Sequence, residues 1–208
     1  VISGVELLDR VTRGEEVQVG TSSVVIGGGN VAIDAARTAR RLGADVTILY
    51  RRREQDMPAD EEEIHDAKLE KVEIVTRAIP IQIERSDSGR LVLVWGKARM
   101  QAQGAGKRPK PVLITGETWR SETDTIISAI GQTADLAFLS EEETSGIEIK
   151  KNKVVTDINM RTGHPKVFAG GDMVNNTGDA ISAIADGYRA ARSIDSFLME
   201  KKGGKCEN

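Results

Sequence analysis

Three consecutive glycines, Gly27-Gly28-Gly29, follow the short β-branched run Ser23–Ile26, and Asn30, Val31 and Ala32 come next. Gly27, Gly29 and Ala32 satisfy a G-x-G-x-x-G/A pattern, and that spacing has a chemistry. The first glycine permits a sharp strand-to-helix turn, and the second lets the main chain approach a pyrophosphate. A small third residue lets the helix pack closely on the strand. The anion is then met by unpaired N–H groups and by the helix dipole. A glycine turn can also serve close packing alone, so its context decides.

The second chemical signal is a run of arginines. A strand expected over Val46–Tyr50 leads into Arg51-Arg52-Arg53. NAD-selective sites carry an acid at this strand end, where it hydrogen-bonds the ribose 2′-hydroxyl. No carboxylate stands there in this chain, and guanidinium forks match a 2′-phosphate. Arg51 and Arg52 are expected to hold it, so NADPH is the expected dinucleotide and the role of Arg53 stays open. Glu54 and Asp56 lie close enough in sequence to pair with one arginine, and a solvated basic loop would read the same way.

The surrounding pattern supplies the elements these residues need. Asn30–Leu42 carries Ala32, Ala35, Ala36 and Ala39 at helical spacing, and Gly43 closes the helix. Strand, turn, helix and second strand together make the parallel crossover that such a site requires. Asp60 is a plausible N-cap for an acidic helix over Glu61–Glu70, and Val72–Thr76 reads as a third parallel strand. Ile79–Glu84, Leu91–Lys97 and Val112–Thr115 read as an antiparallel meander with a basic loop at its tip. Thr125–Ile130 is a buried strand ending at Gly131. Short strands over Val154–Asp157 and Lys166–Ala169 and a helix over Ala180–Leu198 follow.

Composition narrows the function classes. There are 29 basic and 32 acidic side chains, a formal charge of −3, and 3% aromatics. This near balance gives no pull toward nucleic acid or an anionic membrane, and there is little aromatic surface for stacking bases. Cys206 is the only cysteine, so an internal disulfide, a CxxC redox pair and an iron–sulfur site are all excluded. His65 and His164 have no metal-ligand neighbour at a useful spacing. No signal peptide or membrane span is read, and a cytoplasmic location is expected.

The stretch Val24–Asp60, with IGGGNVAIDAARTARRLGA, YRRR and MPA in order, resembles the NADPH domain of the glutamate synthase small-subunit family. That group includes electron-input modules of dihydropyrimidine dehydrogenase and of ferredoxin–NADP oxidoreductase large subunits. Ala129-Ile130-Gly131-Gln132 is similar to the family's strand-end AIGQ, Val167–Asp172 to its VFAGGD, and Ala183–Ala191 to its closing helix. The resemblance runs from about Gly4 to Leu198. It implies a hydride path from NADPH to FAD, with electrons passing onward to an accepting subunit or domain.

The resemblance also implies residue roles. Gly27, Gly28, Gly29, Asn30 and Val31 would line the NADPH pyrophosphate, and Arg51 and Arg52 the 2′-phosphate. Gly131 and Gln132 would lie near the nicotinamide. Asp172 would hydrogen-bond the ribityl or pyrophosphate region of FAD, with Gly171 allowing close approach. Thr177, Gly178, Asp179 and Ala180 would meet the isoalloxazine carbonyl. No catalytic side chain and no metal ligand is assigned, because the chemistry is the cofactor's.

Two parts of the family pattern are missing from this sequence: the FAD fingerprint and the cysteine-rich iron–sulfur region. The FAD domain of the family is split around its NADPH domain. The expected fold is therefore α/β: a Rossmann-like three-layer parallel sheet with an antiparallel β-meander, plus a C-terminal strand–helix segment of a split FAD domain. The expected divisions are a linker over 1–20, an NAD(P)H-binding domain over 21–135 with its meander at about 79–115, a FAD-domain segment over 136–200 and a polar tail over 201–208. The chain opens on Val1 and is expected to begin inside a longer protein. Its expected partners are an upstream FAD-binding and iron–sulfur region and an electron-accepting subunit. Alone it should bind NADPH and retain FAD poorly or not at all. The rival readings are a thioredoxin-reductase-like enzyme, which needs the CxxC this chain lacks, and a non-catalytic NADPH-binding or interaction module.

Overall fold

The computed structural model describes residues 1–104, 109–175 and 178–203, with side chains as far as 200. The chain divides into two units, Val1–Gly131 and Gln132–Asn208. In the first, the order is β1 (Ile2–Ser3), α1 (Gly4–Thr12), β2 (Ser22–Gly27), α2 (Asn30–Arg41), β3 (Asp45–Tyr50), a 3-10 turn (Glu54–Asp56), α3 (Glu61–Leu69) and β4 (Glu73–Thr76). The strands β5 (Ala78–Arg85), β6 (Leu91–Gln101), β7 (Lys110–Thr123) and β8 (Thr125–Ala129) complete it.

Five of these strands form one sheet in the order β1-β8-β2-β3-β4, every pair parallel. Its central strands are apolar on both faces, as a sheet covered on both sides must be. Val25, Ile48 and Ile127 share a cluster with Leu7 of α1, Ile33 and Ala36 of α2, and Ile64 and Ala67 of α3. The alternate residues Val24, Leu49 and Ile126 share a second cluster with Ala78 of β5 and Leu93 of β6. The helices are thus one outer layer and the antiparallel sheet β5-β6-β7 is the other. Trp95 of β6 stacks on Trp119 of β7 with ring centroids 5.0 Å apart, and its indole N–H donates to Ser121 Oγ at 2.9 Å.

Several elements differ from the sequence expectation. Residues 1–20 carry more than a linker. Ile2 and Ser3 pair with Ile127 and Ser128 of β8, and Leu7 of α1 is fully buried. A two-residue edge strand is too short for alternation to reveal. The meander strands reach beyond their expected ends because cross-strand pairing carries polar residues along: Gln101 pairs with Lys110 and Arg99 with Val112. The strand expected over Lys166–Ala169 is reduced to one bridge, Arg161 with Phe168. A short run without a neighbouring strand of matching length cannot extend a ladder.

One carboxylate ties the start of β2 to the start of β8. Asp124 accepts from the Thr21 N–H at 2.8 Å, the Thr21 hydroxyl at 2.9 Å, the Ser22 N–H at 3.0 Å and Arg90 Nε at 2.8 Å. These donors, the Thr21 hydroxyl foremost, hold its carboxyl far below the usual carboxylate range.

The second unit has little regular structure before its last helix. It contains α4 (Glu141–Thr144), the antiparallel pair β9 (Ile149–Lys150) and β10 (Lys153–Val154), a 3-10 turn (Gly171–Met173) and α5 (Ala180–Gly203). Among the described residues no helix is long and apolar enough to cross a membrane, and no His, Cys, Asp and Glu side chains are grouped to hold a metal ion.

Candidate functional site

The first unit carries a cleft of about 590 Å³ at the C-terminal ends of β2, β3 and β8. In open parallel sheets, ligand crevices lie outside this edge. Gly27, Gly28, Gly29, Arg51, Arg52 and Gly131 all line it. Residues from three strand ends, more than a hundred positions apart in sequence, therefore meet there.

The glycine turn is shaped by its neighbours. Gly27 has φ +151°, and a Cβ there would strike the Ala129 carbonyl. At Gly28 a Cβ would overlap the ring of Tyr50, which is 5% exposed and packs beneath the turn. An added Cβ at Gly29 would have only Pro58 Cγ, at 3.7 Å, for a neighbour. The main chain at Gly29 is bare toward the cleft. Ala32 is fully buried, which lets α2 sit close to β2.

The Met57–Asp60 segment is fastened to this turn. The Ala59 N–H donates to the Gly28 carbonyl at 3.2 Å. Asp60 N–H donates to Asn30 Oδ1 at 3.2 Å, and Asn30 Nδ2 donates to Asp60 Oδ2 at 3.4 Å. Asp60 stands at the N-cap position of α3, but its carboxylate makes no capping bond to that helix. The Asn30 amide engages it instead, so the expected cap is a link between α2 and α3.

The three arginines have different surroundings. Arg51 is exposed on the cleft and forms no ion pair among the described residues. Arg52 is half-buried; its Nε donates to the Pro109 carbonyl at 3.1 Å, which leaves its terminal nitrogens for other acceptors. Arg53 is paired with Asp56 at 2.8 Å. Glu54, the other nearby acid, is taken by Lys68 at 2.6 Å.

The remaining site residues named from sequence fall elsewhere. Val31 faces Gly4, where its Cγ1 would be 3.1 Å from an added Cβ, and it does not line the cleft. Gln132 belongs to the second unit, on a separate cleft of about 520 Å³ with Asp172 and Gly178. Asp172 lies on the 3-10 turn with its side chain exposed, and its carbonyl accepts from Lys153 Nζ. Gly171 is buried in the same turn. Asp179 bonds the Ser182 N–H at 2.7 Å at the start of α5, where Ala180 is the first residue. Thr177 lies outside the described residues.

Other contributors carried weak signals in the sequence or none. Tyr50 directly precedes the arginine run, and Pro58 lies in the MPA triplet, so both were within sight. Ile79 and Pro80, which also line the first cleft, come from the meander, and no local pattern marks them. In the second unit Asp186 is 3% exposed and accepts from the Gly171 N–H at 2.9 Å, from Asn175 Nδ2 at 2.8 Å and from Arg189. The Gly171 N–H does most to hold its carboxyl below the ordinary range. A Cβ at Gly170 would come within 2.8 Å of Asp186 Cβ, so the Gly170-Gly171-Asp172 turn is moulded on this one carboxylate.

Comparison with known proteins agrees with this architecture. A family model described as pyridine nucleotide-disulphide oxidoreductase matches residues 1–187. The chain is 36% identical over 181 residues to the NADP(+)-dependent formate dehydrogenase subunit beta of Moorella thermoacetica, covering 85% of this chain and 25% of that protein. It is 32% identical over 187 residues to the glutamate synthase (NADPH) small chain of Escherichia coli (strain K12), covering 86% of this chain and 39% of that one. This chain therefore spans well under half the length of both relatives. The crystal structure of T. acidophilum thioredoxin reductase aligns with a TM-score of 0.67 at 24% identity, over 87% of this chain and 54% of that one, a likeness of fold. With a glycine turn at the C-terminal edge of a parallel sheet and a matching family model over nine-tenths of its length, the chain belongs to the pyridine nucleotide-disulphide oxidoreductase family.

Proposed function

We propose that the chain is the NADPH-binding module of a flavin-dependent oxidoreductase of the glutamate synthase small-subunit type. The observation that carries this reading is the cleft of the first unit, where the bare main chain at Gly29 and two guanidinium groups converge. No carboxylate occupies the end of β3, where an NAD site would keep one. The relatives named for NADP(+) and NADPH support the same dinucleotide.

The residues fit the group. The first turn of α2 leaves N–H groups without intrahelical acceptors, and these would hold the pyrophosphate. Arg51 and the terminal nitrogens of Arg52 would hold the 2′-phosphate, and Gly131 would leave room at the nicotinamide end. The second cleft offers Gln132, Asn152 and Asp172, donors and acceptors suited to the hydroxyl chain of FAD. Asp172 would take that role, with Asp186 holding its turn in shape. The chemistry would be the cofactors' own, a hydride passing from NADPH to FAD. This chain's own work is to bind, orient and exclude water, and electrons would leave to a partner subunit.

Calorimetric titration of the chain with NADPH and NADH, repeated on Arg51→Ala, tests the reading. NADPH should bind more tightly than NADH, and the variant should lose about ten- to a hundredfold in NADPH affinity alone, the worth of a charge-assisted bond. Equal binding of the two dinucleotides, or binding of neither, would reject it.

A further inference from the structure

Arg53 differs from its two neighbours. Its guanidinium makes a two-point contact with Asp56, Nε to Oδ2 at 2.8 Å and Nη2 to Oδ1 at 3.1 Å. Its own N–H also reaches Oδ2, at 3.3 Å, which closes the 3-10 turn Glu54–Asp56 from both ends. The Asp56 carbonyl accepts the Tyr50 hydroxyl at 2.7 Å. Tyr50 in turn is the ring that packs beneath Gly28. Arg53 does not line the cleft, whereas Arg51 and Arg52 do.

We propose that Arg53 is a positioning residue and not a phosphate ligand: its pair with Asp56, hung from the Tyr50 hydroxyl, fixes the direction in which Arg51 and Arg52 face the 2′-phosphate. This inference rests on reading the cleft as an NADPH site. Three adjacent guanidinium groups on an unrestrained loop would spread apart by repulsion, and a bidentate carboxylate fixes one of them at a defined angle. The chain on either side is already held. Tyr50 ends β3, and the Arg52 carbonyl accepts the Arg77 N–H at 2.8 Å. The Asp56 charge is thereby paired, and its link through Tyr50 ties the arginine turn to the glycine turn.

Charge alone predicts the opposite outcome, which makes the test decisive. Removing the Asp56 charge frees a guanidinium and takes an acid away from a phosphate site, so simple electrostatics would tighten NADPH binding. A positioning pair predicts that binding weakens. Dissociation constants for NADPH and NADH would be measured by calorimetry on the unmodified chain, Asp56→Asn, Arg53→Gln and the double variant at one ionic strength. Each single variant should lower the NADPH-to-NADH affinity ratio about tenfold, and the double variant no further, since the two residues act as one unit.

Tyr50→Phe, which removes only the hydroxyl, should lower the same ratio and decides the matter if Asp56→Asn does not fold. Tighter or unchanged NADPH binding in Asp56→Asn beside a loss in Arg53→Gln would make Arg53 a ligand and overturn the inference. An unchanged ratio in every pair variant would overturn it too, while leaving the NADPH reading intact if the unmodified chain still prefers NADPH. An unmodified chain that binds neither dinucleotide overturns both.

Discussion

Gly28 and Tyr50 account for each other. The missing side chain at Gly28 is the space the Tyr50 ring occupies, and that ring is held in place by its hydroxyl bond to Asp56. A methyl group added at this position meets a ring that is buried, anchored and unable to swing aside. Gly28→Ala should therefore lose about 1–3 kcal/mol of stability, the usual range for overpacking. A urea unfolding midpoint would measure it. The turn would be displaced as well, so NADPH affinity should fall in the same variant even where it stays folded. An unchanged midpoint would mean that the ring yields, and that Tyr50 supports the turn less firmly than its contacts imply.

Among the elements, the meander does two jobs. It covers the second face of the parallel sheet through Ala78 and Leu93, and it supplies Ile79 and Pro80 to the cleft. Leu93 is fully buried between the layers. Leu93→Ala should cost about 2–5 kcal/mol, the lost transfer energy plus the cavity left behind. The stacked pair Trp95 and Trp119 in the same sheet gives the readout, since unfolding followed by indole fluorescence reports on this layer directly. The helical layer is joined differently. There Asn30 and Asp60 bond reciprocally, and Arg37 of α2 reaches Glu70 at 2.9 Å and Asp66 at 3.1 Å.

At the scale of the whole molecule, α5 carries an apolar stripe that faces solvent. Ile181, Ile184 and Tyr188 are 81%, 60% and 69% exposed, and Leu198 further along is 51% exposed. Their spacing places the first three on one helical face, and such a stripe ordinarily packs on another element. The curated relatives described above are more than twice as long as the matched segment. The 208-residue chain expressed alone should accordingly bind NADPH, bind an apolar-surface dye, and purify without flavin absorbance. A yellow preparation with stoichiometric flavin would contradict this and would assign a complete FAD site to the chain itself.

The sequence determined what depends on neighbours along the chain. The Gly27–Gly29 turn, the alanine face of α2 and the arginines after β3 all lie within about thirty residues, so a single local crossover sets their order and spacing. The parallel crossover and the meander were legible for the same reason, since each is written in periodicity and turn residues. What only the tertiary structure decided involves choices between partners that look alike in sequence. Glu54 and Asp56 were equally able to pair with an arginine; the turn after β3 gives Asp56 to Arg53 and leaves Glu54 for Lys68 on α3. Asp60 reads as a helix cap and bonds to Asn30, because the two helix starts converge. The edge strand at Ile2 and the role of Asp186 depend on contacts 125 and 15 residues away in sequence. Such contacts form only when the packed layers bring those backbones together, and no local pattern encodes that distance.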